Sequence, residues 1–148
     1  MPLAPDDLRA ITDLSARFAR VLDLREYDGL REILAADVHY VSVGREFHDV
    51  DAVIASFRAR TGYRVTRHAL GNAVVTPSGP GRATGWSVWT TFAAEGAGDT
   101  LPHVFMVADF ADLYVRLDSG EWRIAERIIT PIFRDETLAP GARASPTP

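Results

Sequence analysis

Arg64-Val65-Thr66-Arg67-His68-Ala69-Leu70-Gly71-Asn72-Ala73-Val74-Val75-Thr76 opens the half of the chain that decides the fold. From Arg64 the pattern alternates with a period of two, the mark of a strand with one buried face. The same reading predicts strands over Arg64–Thr76, Arg82–Ala93, Leu101–Leu117 and Glu121–Phe133. Between them lie Pro77-Ser78-Gly79-Pro80-Gly81, Glu95-Gly96-Ala97-Gly98-Asp99 and Asp118-Ser119-Gly120, all rich in turn residues. Strands joined by such short loops form an antiparallel meander.

Upstream of Arg64 the period lengthens. Leu8, Ile11, Leu14, Phe18, Val21 and Leu22 recur at three- and four-residue steps, which predicts a helix from Asp6 to Leu24. Pro5-Asp6-Asp7 suits its start, since acidic groups can accept the free N–H groups of the first turn. A second helix is predicted over 27–35, on Leu30, Ile33 and Leu34, and a β-rich segment over 37–43. Helical spacing returns from Asp49 to Arg60, with Asp49 or Asp51 as the cap. Three helices followed by a long meander is an α+β layout, with helices over one face of the sheet. The domain spans 1–134. The remainder, 135–148, is rich in Pro and Ala and is expected to be a flexible tail, mobile or draped on a neighbour.

Composition excludes several chemistries. The 148 residues contain no cysteine, so disulfides, thiol catalysis and thiolate metal sites are ruled out. All 16 basic residues are arginine, which removes a lysine Schiff base. A net charge of -4 without a basic run argues against nucleic acid. No apolar run is long enough for a bilayer, and the first residues lack the features of a signal peptide, so a cytoplasmic protein without membrane partners is expected. No Gly-rich phosphate loop occurs, because Gly79-Pro80-Gly81 precedes no helix. His39 and His48 stand too far apart in sequence for a compact ligand set, and His103 follows a proline near a strand start, so no metal site is expected. The arginine-only, alanine-rich composition is consistent with a high-GC genome and points weakly towards secondary metabolism.

Chemistry centres on the third of the four histidines. Alternation puts Thr66, His68, Leu70 and Asn72 on one face, a polar patch in an apolar wall. His68 reads equally as a general base or acid and as a core histidine satisfied by one hydrogen bond. Met106, Phe110, Asp112 and Tyr114 share another face, a mix that suits a pocket or a plain aromatic core. Trp86 and Trp89 must point to opposite faces. Asp23 falls on the flank of the first helix and by itself reads as a solvated acid. Arg123, Ala125, Arg127 and Ile129 alternate with Trp122, Ile124, Glu126 and Ile128, and pattern alone leaves the core side open.

Taken together, Arg17-Phe18-Ala19-Arg20-Val21-Leu22-Asp23, Thr66-x-His68-x-x-x-Asn72, Arg82-Ala83-Thr84-Gly85, Leu113-Tyr114-Val115-Arg116 and Trp122-Arg123-Ile124-Ala125-Glu126-Arg127 resemble the SnoaL-like, scytalone dehydratase-like branch of the cone-shaped nuclear transport factor two-like superfamily. The resemblance runs from about Leu8 to Arg134. It implies a cone-shaped barrel of a curved antiparallel sheet covered by three N-terminal helices. It matches His68 to the catalytic histidine of the dehydratases, Asp23 to the acid that orients it, and Arg127 to an arginine that assists a leaving group. Tyr40, Trp89, Met106, Phe110 and Ile129 fall at pocket-wall positions. Phe18 departs from the pattern, because several relatives carry a proton-donating tyrosine there and phenylalanine cannot donate. The implied function is a cofactor-independent dehydratase, cyclase or isomerase acting on a small hydrophobic carbonyl compound, polyketide- or steroid-like. A non-catalytic binding protein, or an assembly subunit like the small subunit of ring-hydroxylating dioxygenases, is the alternative. A homodimer through the outer sheet face is implied, with a trimer as the other possibility.

Overall fold

The computed structural model describes residues 1–60, 62, 64–95 and 101–140. Helix α1 spans Pro5–Leu24 and a 3₁₀ turn spans Tyr27–Glu32. Strand β1 (Leu34–Ser42) and the short β2 (Arg45–Phe47) form a hairpin ahead of α2 (Val50–Arg58). The meander follows as β3 (Arg64–Gly79), β4 (Arg82–Glu95), β5 (His103–Arg116) and β6 (Trp122–Arg134). A 3₁₀ turn at Glu136–Leu138 is the last element among the described residues. The strands form one curved, unclosed sheet in the order β2-β1-β6-β5-β4-β3, so the α+β reading holds.

Helix α1 begins with Pro5 at its first position, where a missing N–H costs nothing. Asp6 and Asp7 sit in the first turn but do not cap it; Asp7 instead accepts the indole N–H of Trp122 at 2.9 Å. The helix ends at Arg25, which adopts the left-handed conformation (φ 59°) usually taken by glycine there. The chain therefore turns sharply just after Asp23. Asp49 caps α2 as expected, accepting the Ala52 N–H at 2.7 Å.

Three expectations need correction. The second helix is only a six-residue 3₁₀ turn, and Leu34 already belongs to β1. Gly29 is a poor helix former, and a Cβ there would lie 2.9 Å from Val21, so the turn packs tightly on α1. The sheet is not wholly antiparallel, because β1 runs parallel to β6. Finally, the expected tail from 135 starts as packed structure. Leu138 is buried, and its carbonyl accepts from Arg64. Residues 141–148, and residues 96–100, where a turn is expected from the sequence, lie outside the described residues.

Bulges decide which side chains face the helices. In β6 the register slips at Ala125, between Ile124 opposite Tyr114 and Glu126 opposite Leu113. Trp122 and Ile124 therefore share the buried face with Arg127 and Ile129, although strict alternation would separate them. A second slip at Ile132 places Arg134 opposite Met106 on the concave side. Alternation holds between the two tryptophans of β4: Trp89 is 1% exposed and Trp86 is 43% exposed.

Candidate active site

Strand β3 is the edge of the sheet, so one row of its N–H groups has no ladder partner. The end of α1 lies against it, and Asp23 fills that role. Its Oδ2 accepts the His68 backbone N–H at 3.1 Å. Its Oδ1 accepts the Thr66 hydroxyl at 2.9 Å and lies 2.6 Å from His68 Nδ1. A carboxylate only accepts, so Nδ1 carries the proton and Nε2 is the basic nitrogen. Burial pushes the Asp23 carboxyl up. The side-chain and backbone hydrogen bonds of His68, its charge, and the Thr66 hydroxyl outweigh this and hold it below the usual value.

His68 faces a cavity of about 140 Å³ between α1, α2 and the concave sheet. Phe18, Tyr40, Met106, Phe110 and Ile129 line it. Burial pushes the Tyr40 phenol up to about 12, so it stays protonated at neutral pH. Its hydroxyl makes no hydrogen bond among the described residues. A wider vestibule of about 420 Å³ adjoins, sharing Tyr40, Ser42, Phe57, Arg60 and Arg134.

The other expected site residues lie elsewhere. Arg127 is fully buried and does not reach the cavity. Its guanidinium lies 4.4 Å from the centre of the Phe18 ring and 5.0 Å from that of Phe110, the two rings that form the cavity wall. Asp112 grips it from behind with two 2.8 Å hydrogen bonds, and Ser15 accepts at 3.1 Å. Tyr114 donates to the same carboxylate at 2.8 Å. Burial alone would lower the Arg127 pKa, yet the Asp112 charge raises it further. Asp112 is thus the counter-ion of Arg127 and not a pocket-wall residue. Trp89 also stands behind the wall, stacked on Phe110 at 4.5 Å and edge-on to His68 at 6.2 Å.

Asn72 is exposed and lines neither cavity. A bulge between Gly71 and Val74 puts it in the left-handed region (φ 47°), which breaks the alternation that grouped it with His68. Gly85 has the opposite kind of importance. A Cβ there would lie 2.7 Å from the Tyr114 ring, so only glycine lets Tyr114 reach Asp112.

Sequence reasoning missed the arginines. Arg25, Arg60, Arg64 and Arg134 line the cavity, and Arg45 joins Arg60 and Arg134 in the vestibule. It also separated His39 from His48. The β1–β2 hairpin stacks their rings at 5.2 Å. His39, Glu46 and His48 offer ligand atoms within 4.8 Å of one another, so distance is no argument against a metal there. Both nitrogens of His39 are already engaged, Nδ1 by Glu126 at 2.8 Å and Nε2 by Glu46 at 2.6 Å.

An open, curved sheet folded over helices, with a carboxylate-held histidine in its hollow, defines a cone-shaped α+β protein with an internal cavity. The SnoaL-like domain family matches residues 5–128, and the chain belongs to that family. Among solved structures, ActVI-ORFA from Streptomyces coelicolor is 18% identical with a TM-score of 0.72, covering 84% of this chain and 96% of that one. A putative scytalone dehydratase from Novosphingobium aromaticivorans is 16% identical with a TM-score of 0.72, covering 94% and 95%. A type 2 hexachlorocyclohexane dehydrochlorinase is 16% identical with a TM-score of 0.77, covering 88% of each chain. At such identities these likenesses establish the shared fold. No curated protein matches in sequence. Among the described residues, no helix is long and apolar enough to cross a membrane.

Proposed function

We propose that the chain is a cofactor-independent lyase or cyclase that removes a proton next to a carbonyl of a small hydrophobic compound. The observation that carries this reading is the 2.6 Å contact between Asp23 and Nδ1 of a histidine that faces the cavity. With Nδ1 committed, His68 Nε2 takes the acidic C–H proton, and Asp23 stabilises the imidazolium that forms. Tyr40, protonated and unpartnered at the cavity wall, donates a hydrogen bond to the developing oxyanion. This role answers the loss of a donor at Phe18. In a dehydration the imidazolium returns its proton to the departing hydroxyl, which leaves as water. In a cyclisation the carbanion attacks a second carbonyl of the same molecule, and the alkoxide that forms takes the proton back from the imidazolium. The putative scytalone dehydratase and the dehydrochlorinase among its structural relatives lend support to elimination chemistry. Arg127, sealed behind Phe18 and Phe110, acts in this reading through the wall it supports.

Deuterium uptake next to the carbonyl of aryl β-hydroxyketones in heavy water, followed by proton NMR, tests the reading. Uptake that His68→Gln abolishes supports it. Binding of the ketones with no uptake by the unaltered chain would instead favour a carrier, the reading to which the absent donor at Phe18 points. We further infer a homodimer through the outer sheet face, where Val74 lies opposite Trp86 and both are exposed. Sedimentation that shows a monomer at micromolar concentration would refute the dimer, and Trp86→Arg is expected to produce one.

A further inference from the structure

Among the described residues, the two adjoining cavities are lined by Arg25, Arg45, Arg60, Arg64 and Arg134, and by no aspartate or glutamate. The chain as a whole has 20 acidic residues against 16 arginines, so this lining inverts the average charge of the molecule. Nearby acids offset only part of it. Glu95 lies 3.3 Å from Arg64, and Glu136 lies 2.8 Å from Arg134. Arg25 donates to the carbonyl of Arg64. Arg60 meets no carboxylate among the described residues; its guanidinium lies over the Phe57 ring at 4.4 Å. Arg45 likewise lies over Phe47 at 5.2 Å. The Arg134 Nε is buried without a hydrogen-bond partner, an expensive state for a charged group.

We propose that the natural ligand is an apolar, ring-bearing acid whose carboxylate sits between Arg60 and Arg134 at the mouth, with its body on Phe18 and Phe110 beside His68. The proposal rests on the reading of this cavity as the substrate site and names the substrate class. The inner walls supply aromatic faces for the ring system. Arg60 and Arg134 line both the inner cavity and the vestibule, so they stand where the two meet. A carboxylate there would give Arg60 its missing counter-ion and share the Arg134 guanidinium with Glu136, through charge-assisted hydrogen bonds. The excess positive charge would also draw such an acid towards a chain whose net charge is negative.

Isothermal titration of the full chain with 2-naphthylacetate and with its neutral amide, 2-naphthylacetamide, tests the proposal. The acid is expected to bind at least about tenfold more tightly than the amide, and the gap should narrow as salt rises. In the double variant Arg60→Gln/Arg134→Gln the gap should close while the amide still binds. The double variant Arg60→Lys/Arg134→Lys should recover part of it, and thermal melts confirm that each variant folds. The His68→Gln chain should keep the full preference, so loss of catalysis and loss of anion recognition are read apart. Equal binding of acid and amide, binding of neither, or a preference that survives in the glutamine double variant would overturn the proposal.

Discussion

His68 and His39 are both held by carboxylates at a strand, yet they end in different chemical states. His39 sits at the β1–β2 hairpin with Glu126 on one nitrogen and Glu46 on the other, so its hydrogen-bonding capacity is used up. His68 has Asp23 on Nδ1 alone, and its remaining nitrogen has no protein partner among the described residues. The first arrangement ties a hairpin to the neighbouring strand. The second holds a base in a fixed tautomer against a cavity. The difference lies in what the other side of each ring meets: a second acid in one case, an aromatic hollow in the other. A histidine with its hydrogen bonds complete is part of the scaffold, and one left half complete beside a cavity is poised for chemistry.

Exchanging the two histidines in turn is the sharpest way to break this comparison. His68→Gln is expected to lower kcat by roughly two to four powers of ten without changing the thermal melt. His39→Gln should leave kcat within a factor of about two, because nothing it touches lines the cavity. A large fall in kcat from His39→Gln, measured with any substrate the chain turns over, would remove the distinction. The Arg127–Asp112 pair provides a third case, in which both partners are sealed from the cavity. Asp112→Ala strips the counter-ion from a fully buried guanidinium and is expected to cost about 3–5 kcal/mol in urea unfolding. Gly85→Val acts on the same cluster from outside, by forcing Tyr114 off Asp112, at an expected cost of about 1–3 kcal/mol.

Much of this was legible in the sequence. Period two from Arg64 onward gave the four long strands to within a few residues, because long, one-sided strands leave an unambiguous trace. Alternation marked His68 as a candidate, but Asp23 was singled out only by resemblance. A flank aspartate looks solvated until an edge strand with spare N–H groups lies against it, and that pairing joins residues 45 positions apart. The β6 arginines were hard to place for a sharper reason. A bulge adds one residue and flips every later side chain, and β6 carries two. No composition rule marks Ala125 or Ile132 as bulged, so Arg127 could not be assigned a side and Arg134 was not considered at all. Asn72 was misplaced by the same physics, on β3. The hairpin that unites His39 and His48 was hidden by its brevity, since a three-residue strand leaves no period to read.

The smallest effect concerns pH, and it separates the two histidine sites by sign. The hydrogen bond that His39 donates to Glu126, and then the one it donates to Glu46, hold its pKa above the ordinary 6.5. Folding therefore favours the protonated ring. Its contribution is fully present below pH 6.5 and fades as pH rises through the raised value. Asp23 is lowered in the fold, so its contribution is present above its ordinary 3.8 and fades as pH falls through the depressed value. Urea unfolding across pH 3 to 9 should then show two flanks. His39→Gln is expected to flatten the alkaline one, and Asp23→Asn the acid one. Each loss should leave the opposite flank in place, because the two clusters share no residue. An alkaline flank that survives His39→Gln would show that the hairpin carboxylates do not hold a proton on that ring. The contrast between a saturated and a poised histidine would then have to rest on the cavity alone.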